Sequence, residues 1–138
     1  MKYINLLSKP ITILNLESEH IVRSKKRVDA AYLFKGEDCD LPILANFEAA
    51  PKSALPKFTV AVENIANPEG FHLLDSKIMV DWPLSEEFEE DVTYIVPKHV
   101  MDRLVIAGFE ISNLRYLSGS IKNSEGEMLG FASLIRYV

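Results

Sequence analysis

The sequence predicts an α+β protein: a mostly antiparallel β-sheet of about seven to nine strands with one main helix, at about residues 97–107. Two observations predict this class. Short β-branched and aromatic runs, separated by turn residues, recur along the chain, as is typical of strands. Apolar residues follow helical spacing over only one longer stretch, the one after Pro97. The length of 138 residues predicts a single globular domain over 1–138.

The first half of the chain predicts several short strands. Strand-like runs occupy Tyr3–Leu7, Ile11–Leu16, Ile21–Val22, Leu41–Phe47 and Phe58–Val62. Ala30–Phe34 fits either a strand or one helical turn, since its periodicity does not decide between them. Pro42 places its run at a sheet edge or near a strand start, because proline cannot donate to a sheet ladder.

Turn residues separate the predicted strands in the middle of the chain. The two prolines of Ala49–Pro56 predict a loop, and Asn67–Gly70 has the composition of a tight turn. Phe71–Leu74 and Lys77–Trp82 are then expected to be two further strands.

The last third predicts a strand, a helix and a hairpin. Val92–Val96 has the composition of a buried strand. Pro97 suits a first helical turn and Gly108 suits a helix end. In between, Val100, Leu104 and Val105 are expected to face the sheet, and His99, Asp102 and Arg103 to face solvent. Tyr116–Tyr137 is expected to form a hairpin that turns at residues 123–126.

Charge is unevenly distributed. The formal net charge is −5, residues 1–70 are balanced, and the whole acidic excess lies in residues 71–138. A nucleic-acid-binding protein usually carries a basic surplus, so the charge argues against direct nucleic-acid binding.

Cysteine content and hydropathy predict the compartment. Cys39 is the only cysteine, so no internal disulfide is expected. The N-terminus lacks a basic region followed by a long apolar run, and no apolar stretch approaches the length of a membrane span. We therefore expect no membrane association and a cytoplasmic location.

No pattern predicts a catalytic centre, a metal site or a cofactor. The three histidines are scattered, and the Asp38-Cys39-Asp40 triplet lacks the further ligands that a metal site needs. Ser118-Gly119-Ser120 lacks the flanking glycines of a nucleophile elbow. The sequence thus favours a protein without enzymatic activity.

Two groups of residues are candidates for binding. An acidic run could occupy a basic groove on a partner protein, with the neighbouring tryptophan as an anchor; these residues are Trp82, Glu86, Glu87, Glu89, Glu90 and Asp91. Basic residues could instead hold the phosphates of a small nucleotide while Tyr32, Tyr94 or Tyr116 stacks on the base. That alternative set is Arg23, Lys25, Lys26, Arg27, Arg103 and Arg115.

Three stretches of the chain resemble a group of small proteins encoded by bacteriophages and prophages. Ile4–Ile13 resembles the group's opening, which has the type V-N-L-T-P-H-P-V-x-I, although Lys9 stands where the group has histidine. Thr93–Val96 with Val100 resembles its strand and helix entry, and Lys122–Glu127 with Gly130 its closing hairpin. The resemblance implies a phage origin and no particular activity.

These observations lead to two functional hypotheses. The first is a non-enzymatic phage accessory protein that binds and inhibits a host protein, plausibly against antiviral defence, in the cytoplasm of the host bacterium. The second is a small-molecule binder that sequesters a nucleotide signal, acting as a homo-oligomer with sites between subunits.

Overall fold

The computed structural model describes residues 2–24, 31–65, 69–71 and 73–138. The described residues confirm an α+β fold dominated by strands, with ten strands instead of the expected seven to nine. The elements are β1 (Lys2–Asn5), β2 (Ile11–Leu14), β3 (Ile21–Arg23), β4 (Tyr32–Phe34), β5 (Ile43–Phe47), β6 (Lys57–Ile65), β7 (Leu73–Asp81), β8 (Val92–Ile95), α1 (Lys98–Ile106), β9 (Leu114–Lys122) and β10 (Met128–Ile135). Short 3-10 helices occupy Asp38–Asp40, Lys52–Ala54 and Pro83–Glu87.

The sheet is mixed, which corrects the expectation of a mostly antiparallel one. The main path runs β1-β8-β9-β10-β2-β5, with β4 pairing β9 and β3 pairing β4. Four pairs are parallel: β1 with β8, β8 with β9, β4 with β9, and β2 with β10. The helix between β8 and β9 returns the chain to the same end of the sheet, which makes those strands parallel. The other three parallel pairs join strands that are distant in sequence, and no local pattern signals their direction.

Strand β7 is longer than the sequence indicates. The two runs that were expected to be separate strands, Phe71–Leu74 and Lys77–Trp82, are joined through Asp75 and Ser76 into one strand. Pairing with β6 is continuous from Lys57–Asp81 to Ile65–Leu73, and this ladder carries the strand across its polar residues. Part of the predicted turn at Asn67–Gly70 lies outside the described residues, and His72 lies outside them as well.

Helix α1 packs on the sheet through a stripe that differs by one residue from the predicted one. Val100, Met101 and Leu104 are buried in the main core, whereas Val105 is 45% exposed. Val105 was expected to face the sheet. Each helical residue is rotated by about 100° around the helix axis relative to the one before it. The buried stripe is centred between Val100, Met101 and Leu104, and Val105 lies about 95° around the axis from that centre, so its side chain is at the edge of the packed face. His99 and Arg103 are exposed as predicted, and Asp102 is half-buried.

Two glycines meet geometric requirements of this scaffold. Gly108, at φ +74°, ends the helix in the left-handed conformation, with Gly108 N–H donating to Val105 O (3.0 Å) and Phe109 N–H to Leu104 O (2.9 Å). A side chain at Gly130 would place its Cβ 2.6 Å from the carbonyl oxygen of Thr12, so glycine permits the close approach of β10 to β2.

Within the described ranges, no helix is long and apolar enough to cross a membrane.

Candidate functional site

Trp82, predicted as a partner-binding anchor, lies in the core. Its side chain is 5% exposed, and its indole N–H donates to Ala54 O at 2.8 Å. Phe88 packs edge-on against the ring at a centroid distance of 4.9 Å, and Phe109 covers it at 5.8 Å. The ring is therefore enclosed by its own chain and belongs to the core.

The five predicted acidic residues are all exposed. We call Glu86, Glu87, Glu89, Glu90 and Asp91 the acidic segment; Pro83, Leu84 and Ser85 separate it from the buried Trp82. The backbone of this segment is anchored at Glu89. Glu89 N–H donates to the Tyr94 hydroxyl (3.1 Å), and Glu89 O accepts from Asn113 Nδ2 (3.0 Å). The main chain is thus held on the body of the protein while the carboxylates remain in solvent.

An exposed apolar surface that sequence reasoning missed is on the β6–β7 hairpin. Side chains alternate between the two faces of a strand, and directly paired residues share a face. By this rule one face is mostly apolar, with Asn64 and Ser76 as its two polar members. We call its apolar part the apolar hairpin face, formed by Phe58, Val60, Val62, Leu74, Ile78 and Val80. The opposite face is mostly polar. The alternation was visible in Phe58–Val62, but the sequence did not show that the hairpin extends away from the main sheet.

The apolar hairpin face begins in the core and continues into solvent. Phe58 and Val80, at the base of the hairpin, pack against the main core cluster. Farther out, Val60 is 59% exposed, Val62 55% and Leu74 58%. A nine-residue strand spans about 30 Å, so the face is an elongated strip, and among the described residues its outer part is more than half exposed.

The basic residues predicted to hold a nucleotide are not brought together. Lys25, Lys26 and Arg27 lie outside the described residues. Arg23 is beside Tyr32, which pairs with Ile121 near the end of β9, whereas Arg115 is at the start of β9, about 20 Å away by strand rise.

Two of these arginines already have contacts of their own. Arg115 donates to the carbonyl oxygens of Ser112 (2.9 Å) and Leu114 (2.7 Å). Arg103 lies over the ring of Phe58, at 5.5 Å from the centroid. These contacts leave both guanidinium groups engaged in local structure.

Two of the three tyrosines that were proposed to stack on a base pack against other aromatic rings of the chain. Tyr94 is buried and stacks on Phe88 with a centroid distance of 4.0 Å. Tyr116 is buried against Tyr137, with a centroid distance of 5.4 Å. Tyr32 is half-buried and lines a cavity of about 240 Å³ together with Lys122.

A larger cavity lies beside helix α1. It measures about 440 Å³ and is formed where the β1–β2 loop, the start of α1 and the strands β9 and β10 meet. Residues 7–9, residues 96–99, Leu55, Leu117 and Phe131 line it. Two of the three stretches that carry the phage resemblance, Ile4–Ile13 and Thr93–Val96, supply residues to its walls.

A hydrogen-bonded network joins helix α1 to the end of the chain. Tyr137 donates its hydroxyl proton to Asp102 Oδ1 (2.5 Å), and Lys98 Nζ lies 3.1 Å from Asp102 Oδ2. These two donors, the tyrosine first, hold the pKa of Asp102 below its usual range. The same hydrogen bond stabilises the protonated form of Tyr137 and raises the pKa of its hydroxyl. The network links the helix to the C-terminal segment, next to the cavity.

The Asp38-Cys39-Asp40 triplet forms a 3-10 helix, with Cys39 exposed. His20 Nε2 lies 3.9 Å from Asp40 Oδ2 and 3.7 Å from Glu19 Oε1. In the part of the chain that the structure describes, no group of three or more His, Cys, Asp or Glu side chains is arranged to hold a metal ion.

The chain matches no protein-family model, no curated protein and no solved structure.

Proposed function

We propose that the protein acts by binding another protein through the apolar hairpin face. The observation that carries the proposal is the exposure of Val60, Val62 and Leu74 on one face of a hairpin whose base is anchored in the core. A two-stranded hairpin is marginally stable in water unless a further layer covers its apolar side. A partner that supplies this layer would bury apolar surface worth about 25 cal/mol per Å².

The charge around the hairpin supports a basic partner. Residues 57–91, which contain the hairpin and the acidic segment, hold nine acidic residues and two lysines. The rest of the chain holds eleven acidic and thirteen basic residues. The polar face of the same hairpin carries Glu63, Asp75 and Asp81, and the acidic segment follows its base. An apolar strip on such a hairpin fits an apolar groove with a basic rim, and the charges would speed the encounter of the two proteins.

The same charges argue against a second copy of this chain as the partner that covers the apolar hairpin face. In a symmetric dimer each copy presents the same surface to the other. Packing one hairpin on another would bring two acidic stretches together in either orientation, since acids lie near the tip (Glu63, Glu69 and Asp75) and after the base. Like charges brought together at an interface oppose binding.

The proposed setting follows from the resemblance to phage proteins. An accessory protein of a phage acts on the bacterium in which it is made, so the proposed partner is a host protein in the cytoplasm and the proposed effect is its inhibition. Because Trp82 is buried, the role of anchor moves from this residue to Val60, Val62 and Leu74, while the five acids keep the role of steering the encounter.

The nucleotide-binding alternative has less support. Arg23, on β3, lies level with the end of β9, whereas Arg115 is at the start of β9. Arg103 and Arg115 make local contacts, and Tyr94 and Tyr116 are covered by other rings. Among the described residues, the lining of the cavity beside Tyr32 contains Lys122 and none of Arg23, Arg103 and Arg115.

The proposal is tested by changing the apolar hairpin face without changing its shape. Val60→Thr and Val62→Thr together keep β-branched side chains but replace methyl groups by hydroxyl groups. The immobilised wild-type protein is used to capture partners from host lysate, and the captured protein is purified and its affinity measured directly. We expect the double variant to bind it at least about ten-fold more weakly, a loss of about 1.4 kcal/mol.

Met79→Thr provides the matched control. Met79 is 54% exposed on the opposite face of the same hairpin, so its substitution should leave the affinity unchanged. Changing the five acids of the acidic segment to Gln or Asn should lower the association rate and its dependence on salt. Equal affinity of the double variant and the wild type would exclude this face as the binding surface. Self-association of the protein that the double substitution abolishes would instead identify a second copy as the occupant and overturn the proposal.

A further inference from the structure

The cavity beside helix α1 has features of a ligand site that is separate from the hairpin. Its volume of about 440 Å³ lies within the usual range for small-molecule sites, about 300–1,000 Å³. It opens at the carboxyl end of two adjacent parallel strands, β1 and β8, where open α/β sheets commonly bind ligands. None of its lining residues belongs to the apolar hairpin face or to the acidic segment.

The cavity wall formed by the β1–β2 loop is held in place by a buried asparagine. Asn5 is 5% exposed, and its Nδ2 donates to Lys9 O and Glu48 O, both at 2.9 Å. Its Oδ1 accepts from Leu7 N–H at 2.8 Å, and Leu7 O accepts from Ala50 N–H at 2.8 Å. The main chain on both sides of Ser8 is thus fixed by hydrogen bonds, so this wall does not have to be ordered when a ligand binds.

The lining combines an apolar interior with positive charge. Six of the ten lining residues are apolar, from Leu7 and Leu55 to Phe131. The polar ones are Ser8, Lys9, Lys98 and His99, and no acidic residue is among them although the chain carries a net charge of −5. Lys98 shares its charge with Asp102 at 3.1 Å, which leaves Lys9 and His99 as the groups facing a ligand.

We propose that this cavity binds a small organic carboxylate with an apolar body. The apolar residues would receive the body, and Lys9 and His99 would hold the carboxylate by charge-assisted hydrogen bonds. A bare inorganic anion would leave the apolar walls without a partner, and an organic amine would meet like charge. The apolar walls, together with Lys9 and His99, therefore define the class.

Octanoate serves as the probe, with octylamine and inorganic phosphate as its comparisons. Binding is measured by isothermal titration calorimetry on the full chain, and amide chemical shifts locate it. We expect saturable binding of octanoate with shifts at residues 7–9, 96–99, Leu117 and Phe131, and no comparable binding of octylamine or phosphate. Lys9→Gln with His99→Gln should weaken octanoate binding about ten-fold or more, since charge-assisted bonds are lost.

Lys122→Gln is the control, because Lys122 is a lysine outside this cavity. It should leave octanoate affinity unchanged. Absence of saturable octanoate binding, equal binding of octylamine, or an unchanged affinity in the Lys9→Gln/His99→Gln variant would each overturn the proposal. Phosphate binding at the same residues with the affinity of octanoate would also overturn it, because the apolar body would then contribute nothing. The hairpin variant Val60→Thr/Val62→Thr should bind octanoate normally, so this test does not depend on the protein-binding proposal.

Discussion

Leu104 is the residue whose burial joins helix α1 to the sheet. It is 0% exposed and lies in the main core cluster with Val100 and Met101. Ile106, two residues later on the same helix, is 73% exposed. These two aliphatic side chains contain the same number of carbon atoms, so a comparison of their truncation isolates the effect of burial.

We expect Leu104→Ala to lower the free energy of unfolding by roughly 2–5 kcal/mol, because it removes buried methyl groups and leaves a cavity. Ile106→Ala should change it by no more than about 0.5 kcal/mol, since the side chain is largely in solvent. Urea unfolding of both variants measures the difference. Losses of similar size would show that α1 does not pack on the sheet through this stripe.

Asp102 makes the stability of the protein depend on pH in the acidic range. The Tyr137 hydroxyl and then Lys98 hold the pKa of Asp102 below its usual range in the folded state. The unfolded chain therefore takes up this proton first as the pH falls. The stabilisation is fully present above the ordinary Asp pKa of about 4 and is lost as the pH falls through the lower, folded value.

We accordingly expect Asp102→Asn to lose less stability than the wild type between neutral pH and pH values below about 4. Thermal unfolding at a series of pH values measures how strongly the stability of each protein depends on pH. Tyr137→Phe removes the main hydrogen-bond donor to Asp102, so this variant should also lose less stability on acidification than the wild type. If all three proteins lost stability in parallel on acidification, the network would have no part in the acid response.

At the scale of elements, the end of helix α1 depends on backbone conformation more than on side-chain packing. Gly108 has φ +74°, and a Cβ built on it would have no atom within 4 Å. A substitution there therefore meets no steric obstacle from neighbouring residues. Its only cost is the left-handed conformation, which L-residues other than Asn and Asp rarely adopt.

Gly108→Ala should destabilise the protein by about 1–2 kcal/mol because alanine is strained in this conformation. Gly108→Asn should cost less, since asparagine tolerates left-handed backbone angles better. Chemical denaturation of the two variants measures both values. A loss for asparagine equal to or larger than that for alanine would mean that the added volume, rather than the backbone angle, sets the cost.

The β6–β7 hairpin shows how an element can be well formed and still incomplete. Its nine residue pairs make a continuous ladder, and its base is fixed by Phe58 and Val80. Beyond the base, Val60, Val62 and Leu74 are each more than half exposed. The backbone hydrogen bonds hold the shape, while the apolar face still gains free energy from burial, which is the physical basis of the protein-binding proposal.

At the scale of the whole molecule, the fold keeps two kinds of surface apart. Residues 57–91, with the hairpin and the acidic segment, hold nine acidic residues against two lysines, whereas the rest of the chain holds slightly more basic than acidic residues. The cavity beside α1 has cationic groups and no acidic lining residue. A basic protein and a small carboxylate would thus be attracted to different regions of one chain, and the two proposals can be tested independently.

The sequence by itself determined most of the local structure. It predicted the α+β class, the strand before Pro97, the helix that ends at Gly108 and the hairpin through residues 123–126, all of which the structure contains. Each of these depends on propensity, periodicity or turn chemistry within a few residues, and such signals are legible in one chain.

Only the tertiary structure decided which side chains are available for binding. Trp82 is enclosed by Phe88 and Phe109, and Val105 emerges at the edge of the helix stripe. The parallel pairs β1–β8 and β2–β10 and the cavity lined by Lys9 and His99 join segments far apart in sequence. Local patterns carry no information about such contacts, because burial and strand direction depend on which distant segments pack together in the folded chain.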